Sequence, residues 1–498
     1  MATETYDQLV AKAREVRLLS GVNGLLGWDQ ETYMPPRSAE IRADQLALLA
    51  GMIHDRVVAP EIEGLLASLE KEKLPPDRAA VVREGRRLYD RERKLPKELV
   101  EELARTTSRS QEAWAKARKE KDFAQFAPWL EKVIGLKRQA AKHLGLPGQD
   151  PYDALLDEFE PGATSAELTS LFSTLEGALV PLVKKLALAK KKPRVEILER
   201  HYPRAKQEEF GRLVAKDMGF DFEAGRLDVS NHPFCSGLQP DDVRITTRYR
   251  EDDLTGSLFG IMHEAGHGLY EQGFDRKYFG TALAEPCSTG IHESQSRLWE
   301  NMVGRSRPFW KHYYPELRRV FPEPLADVSE ADFVFAVNDV RPSFIRTESD
   351  EVTYNLHVLL RFEVERDLLS GKLAVADLPR FWNDKMEKLL GVRPPDDAQG
   401  CLQDIHWSFG LFAYFPTYTL GNCYAAQFFA TARKELDLDS LLARGELRPL
   451  REWLRKKVHE RGGFFRPKDL VKDVTGAPPS SAAFVSYLET KYAELYGL

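Results

Sequence analysis

Cysteine is nearly absent: Cys235, Cys287, Cys401 and Cys423 are the only four in 498 residues, widely spaced and without a C-x-x-C pair. That excludes a disulfide framework and a cysteine metal cluster, so each reads as a small packing residue. Methionine is scarce as well, at seven residues, while Asp, Glu, Lys and Arg make up 30% of the chain. Against a usual charged share of about 25%, this balance leans toward a thermophilic source. The sequence shows no long apolar run and no signal peptide, since Met1-Ala2-Thr3-Glu4-Thr5-Tyr6 leads straight into a charged amphipathic pattern. A cytoplasmic protein with no membrane partner is expected. There is no excess of positive charge either: the net charge is -6 with both signs interspersed, which gives no footprint for nucleic acid. The short run Lys190-Lys191-Lys192 before Pro193 is explained by a helix C-terminus. No Gly/Ser-rich or Pro-rich linker divides the chain, so residues 1–498 read as one unit although the length alone would allow about three domains.

What fills the sequence is helix. From Tyr6 to about Ala189 amphipathic segments alternate with breaks at Pro35-Pro36, Pro75-Pro76, Pro147-Gly148 and Pro161-Gly162, and Thr164-Ser165-Ala166-Glu167 predicts a capping box. Helical patterns return at Leu254 and continue to the C-terminus. Between them, Arg226-Leu227-Asp228-Val229 and the β-branched run from Val243 to Tyr249 predict a small antiparallel sheet within 225–250. An exposed edge there could pair with an extended peptide through main-chain hydrogen bonds.

The most informative segment is His263-Glu264-Ala265-Gly266-His267, an H-E-x-x-H sequence inside the predicted helix that starts at Leu254. Residues four apart share a helix face, so both imidazoles can reach one divalent ion with Glu264 beside it as a base. At about 100° per residue, Leu258, Met262, Ala265 and Leu269 form an apolar stripe, and the two histidines fall opposite it. The competing reading is a pair of surface histidines on an amphipathic helix. Gly256, Gly260, Gly266 and Gly268 each weaken a helix by about 1 kcal/mol relative to Ala, which points to close approach of backbone or substrate. A catalytic zinc site takes three protein ligands and leaves one position open. The third is sought in a second helix from Ser288 to Trp299, packed through Ile291, Leu298 and Met302; Glu293 points away from that stripe. Glu285 and Glu300 are the rival ligands, each with a solvated carboxylate as the simpler account. Residues 254–303 thus contain the expected metal-binding helices.

These segments resemble the carboxypeptidase Taq family of zinc metallocarboxypeptidases, distant relatives of neurolysin and angiotensin-converting enzyme. The resemblance extends to His232-Pro233-Phe234, Asp242-Val243-Arg244-Ile245-Thr246 and His292-Glu293-Ser294-Gln295. Further on it includes Ile345-Arg346-Thr347-Glu348-Ser349-Asp350 and Gly400-Cys401-Leu402-Gln403-Asp404-Ile405-His406-Trp407, and near the N-terminus Trp28-Asp29-Gln30-Glu31-Thr32-Tyr33-Met34-Pro35. Ser349 stands where the family more often has Ala. The resemblance implies a mostly helical ellipsoid split by a deep substrate groove, with one zinc per chain at its base, for which cobalt can substitute. It also implies a homodimer that removes single C-terminal residues from peptides with broad specificity and poor release of proline.

The chemistry then assigns roles. Zinc on His263, His267 and Glu293 would lower the pKa of a water toward 7, and Glu264 would take its proton during attack on the scissile carbonyl. The developing oxyanion needs another donor, and His406, Tyr414 and Tyr418 are available; the resemblance favours Tyr418 and His406. Without it, each aromatic reads equally well as packing. Asp404 would orient His406 or cap a helix. Arg346 is the expected partner of the substrate carboxylate, because a guanidinium binds two oxygens at once. The alternative is a structural pair with Glu348, Asp350 or Glu351. His232 and Arg244 stand second as substrate contacts. Two other functions remain possible: a groove-type oligopeptidase or peptidyl-dipeptidase, and a helical scaffold that holds a structural metal.

Overall fold

The computed structural model describes residues 2–146 and 148–498, so Pro147, half of one expected break, lies outside the described residues. Helix accounts for 69% of the molecule, in line with the amphipathic pattern. The chain forms two compact units. One comprises Met1–Arg93, Pro193–Asn338 and Tyr424–Pro479; the other comprises Lys94–Lys192, Asp339–Cys423 and Ser480–Leu498.

The first unit contains the only sheet among the described residues: β1 (Gly225–Val229), β2 (Cys235–Gln239) and β3 (Asp242–Thr247), in the order β1-β3-β2. The sheet is mixed, which corrects the antiparallel expectation. β1 runs parallel to β3, with Gly225 opposite Val243 and Val229 opposite Thr247. The connection between them holds β2, which the sequence pattern concealed because Cys-Ser-Gly-Leu-Gln is poor in β-formers. Pro240-Asp241 turns β2 straight into β3, so this pair is the antiparallel one, and β1 must take the other side of β3. On β2, the Gly237 carbonyl accepts a hydrogen bond from Arg17 of the first helix at 3.1 Å, so that edge group is already engaged.

Against the sheet packs the helix Leu254–Gln272. Its start is set by Asp253, whose side chain accepts from the Gly256 amide at 3.0 Å. The predicted stripe Leu258, Met262, Ala265 and Leu269 is buried, while His263 and His267 keep partial exposure. A Cβ added at Gly266 would lie 2.7 Å from both the Gln295 carbonyl oxygen and the Ser296 Cα. Only glycine therefore lets this helix touch the backbone of the next one, Thr289–Arg297. That second helix is capped by Ser288, which accepts from the Ile291 amide at 3.0 Å, and it buries Ile291 as expected. It widens into a π-helical turn, Leu298–Val303, which carries the buried Leu298 and Met302.

The second unit contains helices and loops but no strand among its described residues. Its capping box is present: the Thr164 hydroxyl accepts from the Glu167 amide at 3.3 Å, and the Glu167 carboxylate accepts from the Thr164 amide at 3.0 Å. The helix it opens, Ser165–Ala187, is long and apolar enough to cross a membrane by length and composition, which qualifies the expectation that no such run exists. Its apolar residues Leu168, Phe172, Leu175, Leu179, Leu182 and Leu186 recur at three and four, and all are buried in this unit. That is the pattern of a core helix. Lys192 donates to the Leu186 and Ala187 carbonyls at 3.2 and 2.8 Å, as the dipole reading of the lysine run requires. None of the four cysteines is in a disulfide.

Candidate metal centre

The two helices described above bring His263, His267 and Glu293 together, with one ligand atom from each lying within 4.8 Å of the others. Glu293 Oε2 stands 3.6 Å from His263 Nε2 and 3.3 Å from His267 Nε2. The remaining polar groups hold these three in place. Glu293 accepts from Arg297 Nε at 2.6 Å and from Ser296 Oγ at 3.0 Å. Behind His263, its Nδ1 lies 2.8 Å from Glu300 Oε2, which also accepts from Arg297 Nη1 at 3.3 Å. Behind His267, its Nδ1 lies 2.5 Å from Nδ1 of His292, whose Nε2 is 2.8 Å from Glu271 Oε1.

This placement corrects the account of both rival ligands. Glu300 is neither a ligand candidate nor a solvated carboxylate; it is the hydrogen-bond partner of a candidate ligand. Glu285 pairs with Arg17 at 2.9 Å instead.

Charge in the cluster is strongly polarised. Burial alone would push His263 down, but Glu293, Glu300 and Glu264 outweigh it and raise this imidazole to about 9. Burial and the neighbouring His292 push His267 down to about 3. Burial also works against the Glu293 charge, yet Arg297, His263 and His267 together hold its carboxyl well below the usual range. Glu264 is raised to about 7 by burial, opposed by His263 and reinforced by Glu293 and Glu300. The carboxylates that raise His263 are ones a dication would neutralise. Two imidazoles that expose Nε2 and one carboxylate kept ionised fit a divalent metal, and three protein ligands leave an open position.

The other unit holds a second charged cluster. Arg346, buried at 4% exposure, donates from Nε and Nη2 to Asp404 Oδ1 at 3.2 and 2.9 Å and from Nη1 to the Tyr354 hydroxyl at 2.8 Å. Arg361 donates from Nε to Asp404 Oδ2 at 2.6 Å and from Nη2 to Gln403 Oε1 at 2.7 Å. Burial would raise the Asp404 pKa, but the two guanidiniums hold it far below the carboxylate range. Arg346 thus has a structural partner, but a different one from those expected. Asp350 instead accepts from the Val352 and Thr353 amides, and Glu351 bonds to Tyr487 and Tyr492. Asp404 serves the arginines first: His406 Nδ1 is 3.9 Å from it, too long for a hydrogen bond. His406 Nε2 lies 3.4 Å from the Tyr418 hydroxyl, and the Tyr418 ring packs 4.9 Å from the Arg346 guanidinium. Tyr414 stacks edge-on against Phe159 at 5.1 Å.

The second-rank residues are otherwise engaged in the first unit. Arg244 donates to Asp242 at 2.7 and 3.0 Å and lies 4.4 Å over the Trp28 ring, while His232 is exposed with Nδ1 3.0 Å from its own Pro233 carbonyl. Glu271, Arg297 and Arg361 were not anticipated. Spacing alone could have flagged the first two, because Glu271 follows His267 by four residues and Arg297 follows Glu293 by four.

The family described as carboxypeptidase Taq (M32) metallopeptidase matches residues 8–492. Thermostable carboxypeptidase 1 of Thermus thermophilus is 46% identical, over 99% of this chain and 99% of its own. Carboxypeptidase 1 of Bacillus subtilis is 39% identical over the whole of both chains. Among solved structures, the M32 carboxypeptidase from Deinococcus radiodurans R1 superposes with a TM-score of 0.97 at 42% identity, covering 99% of this chain and 100% of that one. Trypanosoma cruzi metallocarboxypeptidase 1 gives 0.94 at 34% identity, covering 98% and 99%. On sequence, fold and a His-His-Glu cluster alike, the chain belongs to the carboxypeptidase Taq (M32) family of metallocarboxypeptidases, which are peptide hydrolases.

Proposed function

We propose that this enzyme is a zinc carboxypeptidase that releases single residues from peptide C-termini, with His263, His267 and Glu293 holding the ion and Glu264 as general base. The carrying observation is the cluster itself: two imidazole Nε2 atoms converge on a carboxylate kept ionised, next to a buried carboxyl that none of the three uses. When bound, zinc supplies Lewis acidity, making a water more acidic and a carbonyl more electrophilic. Glu264 takes the proton of the attacking water and delivers it to the departing amine; its place in the sequence between the two ligands puts its carboxyl within their neighbourhood. Tyr418 and His406 donate to the oxyanion, and Arg346 holds the terminal carboxylate. Broad specificity with poor release of proline and assembly as a homodimer, both on the strength of the family resemblance, complete the proposal, together with residence in the cytoplasm.

The test is metal analysis combined with product analysis. Purified protein should carry about one zinc per chain, and chelation should abolish hydrolysis reversibly. Glu264→Gln should retain zinc and lose turnover, because this residue handles a proton and does not ligate. An active Glu264→Gln enzyme refutes the mechanism, and dipeptide products refute the carboxypeptidase assignment.

A further inference from the structure

The metal reading leaves His292 and Glu271 without a function, although His292 lies against the proposed ligand His267 and Glu271 lies against His292. Geometry determines how protons must lie along them. His263 and His267 present Nε2 to Glu293, so metal binding through those atoms leaves the proton of each neutral imidazole on Nδ1. For His263 that proton points at Glu300 Oε2, 2.8 Å away. For His267 it points at Nδ1 of His292, 2.5 Å away, and a nitrogen that accepts there cannot also carry hydrogen. The His292 proton therefore sits on Nε2, directed at Glu271 Oε1 at 2.8 Å.

We infer that Glu271 and His292 form a two-link relay that positions His267 and lends it carboxylate character, the counterpart of the direct Glu300 contact to His263. The inference rests on the metal reading above. Several features show a built arrangement. Glu271 follows His267 by one helical turn, so one helix supplies both ends of the relay, and Thr289–Arg297 supplies the middle from the residue next to Glu293. Glu271 is buried at 8% exposure, and its carboxylate fills the space where a side chain at Gly237 of β2 would begin. A Cβ there would stand 2.4 Å from its Cδ and Oε2. The His292 ring is further fixed between His267, at 4.5 Å between centroids, and Tyr270, at 5.4 Å. Glu271 and His292 are positioning residues that act through His267. Partners of this kind fix ligand orientation and raise ligand basicity, and their loss weakens metal affinity by about 10- to 100-fold.

The experiment measures zinc affinity and release, not turnover, on the full chain by competition with a chromogenic chelator. His292→Phe keeps a ring of similar size and breaks the relay; Glu271→Gln keeps an acceptor and removes the charge. His292→Phe should weaken zinc binding about 10- to 100-fold and speed zinc release. Glu271→Gln should do the same by a smaller factor, and in the double variant it should add nothing, because a broken relay cannot transmit a second loss. A mere packing role would lower the unfolding temperature of the metal-free protein and leave affinity unchanged. Wild-type affinity in both variants, or losses that multiply in the double variant, overturns the inference. If His292→Phe does not fold, near-isosteric Glu271→Gln decides the matter alone: weakened zinc binding supports the relay and wild-type binding overturns it. A wild type that holds no zinc overturns the metal reading, and the relay with it.

Discussion

Replacing Arg346 by Met and amidating the substrate terminus should each remove the same interaction, so their effects should not add. The Arg346, Arg361 and Asp404 cluster sets the magnitude. Two buried cations against one buried anion leave one positive charge unmatched, and three of the five Arg346 N–H groups are used by Asp404 and Tyr354. The remaining two can take a carboxylate. With Arg346 gone, Asp404 keeps its 2.6 Å bond to Arg361, so no isolated buried charge results and the variant should fold. One or two charge-assisted bonds contribute on the order of 2–4 kcal/mol, equivalent to roughly 30- to 1,000-fold in kcat/KM. The assay is a square of two enzymes and two peptides, one free and one amidated, read as kcat/KM. Either change alone should cause the full loss, and the two together scarcely more. Losses that multiply across the square would refute Arg346 as the carboxylate anchor and leave it a structural partner of Asp404.

Two further outcomes follow from neighbouring groups. Tyr418→Phe should lower kcat by about 100-fold or more with little change in KM, the sign of a hydrogen bond made mainly in the transition state; a rate within about twofold of wild type reassigns Tyr418 to packing. Glu365 is raised to about 7 by burial, against the pull of its donors Trp407, Tyr152 and the Ala413 amide. The folded chain therefore keeps this proton where the unfolded chain, at the ordinary glutamate value of 4.5, has lost it. Stability from this group is full at low pH and falls as pH rises through that window, by on the order of 3 kcal/mol near pH 7 and above. Denaturant titrations of wild type and Glu365→Gln should differ by that slope, and parallel pH profiles would show that Glu365 is ionised in the fold.

Much of the candidate metal centre, as a cluster, was legible because its information is local. Helical spacing puts His263 and His267 on one face, the stripes of both helices predict burial, and Ser288 and Asp253 cap where short polar residues precede apolar periodicity. The parts that escaped notice depend on contacts with no period. Glu285 meets Arg17 from the first helix, and Asp404 is shared by arginines 58 and 43 residues away. Composition can name such residues as charged but cannot choose their partners. β2 was missed for a related reason: its five residues are held by pairing with β3, whose β-branched side chains carry the strand signal for both.

The contact at Gly266 bears on how such a centre can be rebuilt elsewhere. Because the two helices meet backbone to backbone, His292 and Glu293 enter together, as consecutive residues on one turn. A slip of one residue would swing both by about 100° and remove the proposed third ligand and the inferred support of the second in a single step. The five-residue motif is therefore not a portable module. A scaffold designed to reproduce this chemistry must copy a crossing of two helices, glycine included, and specify the second helix to within one residue of register.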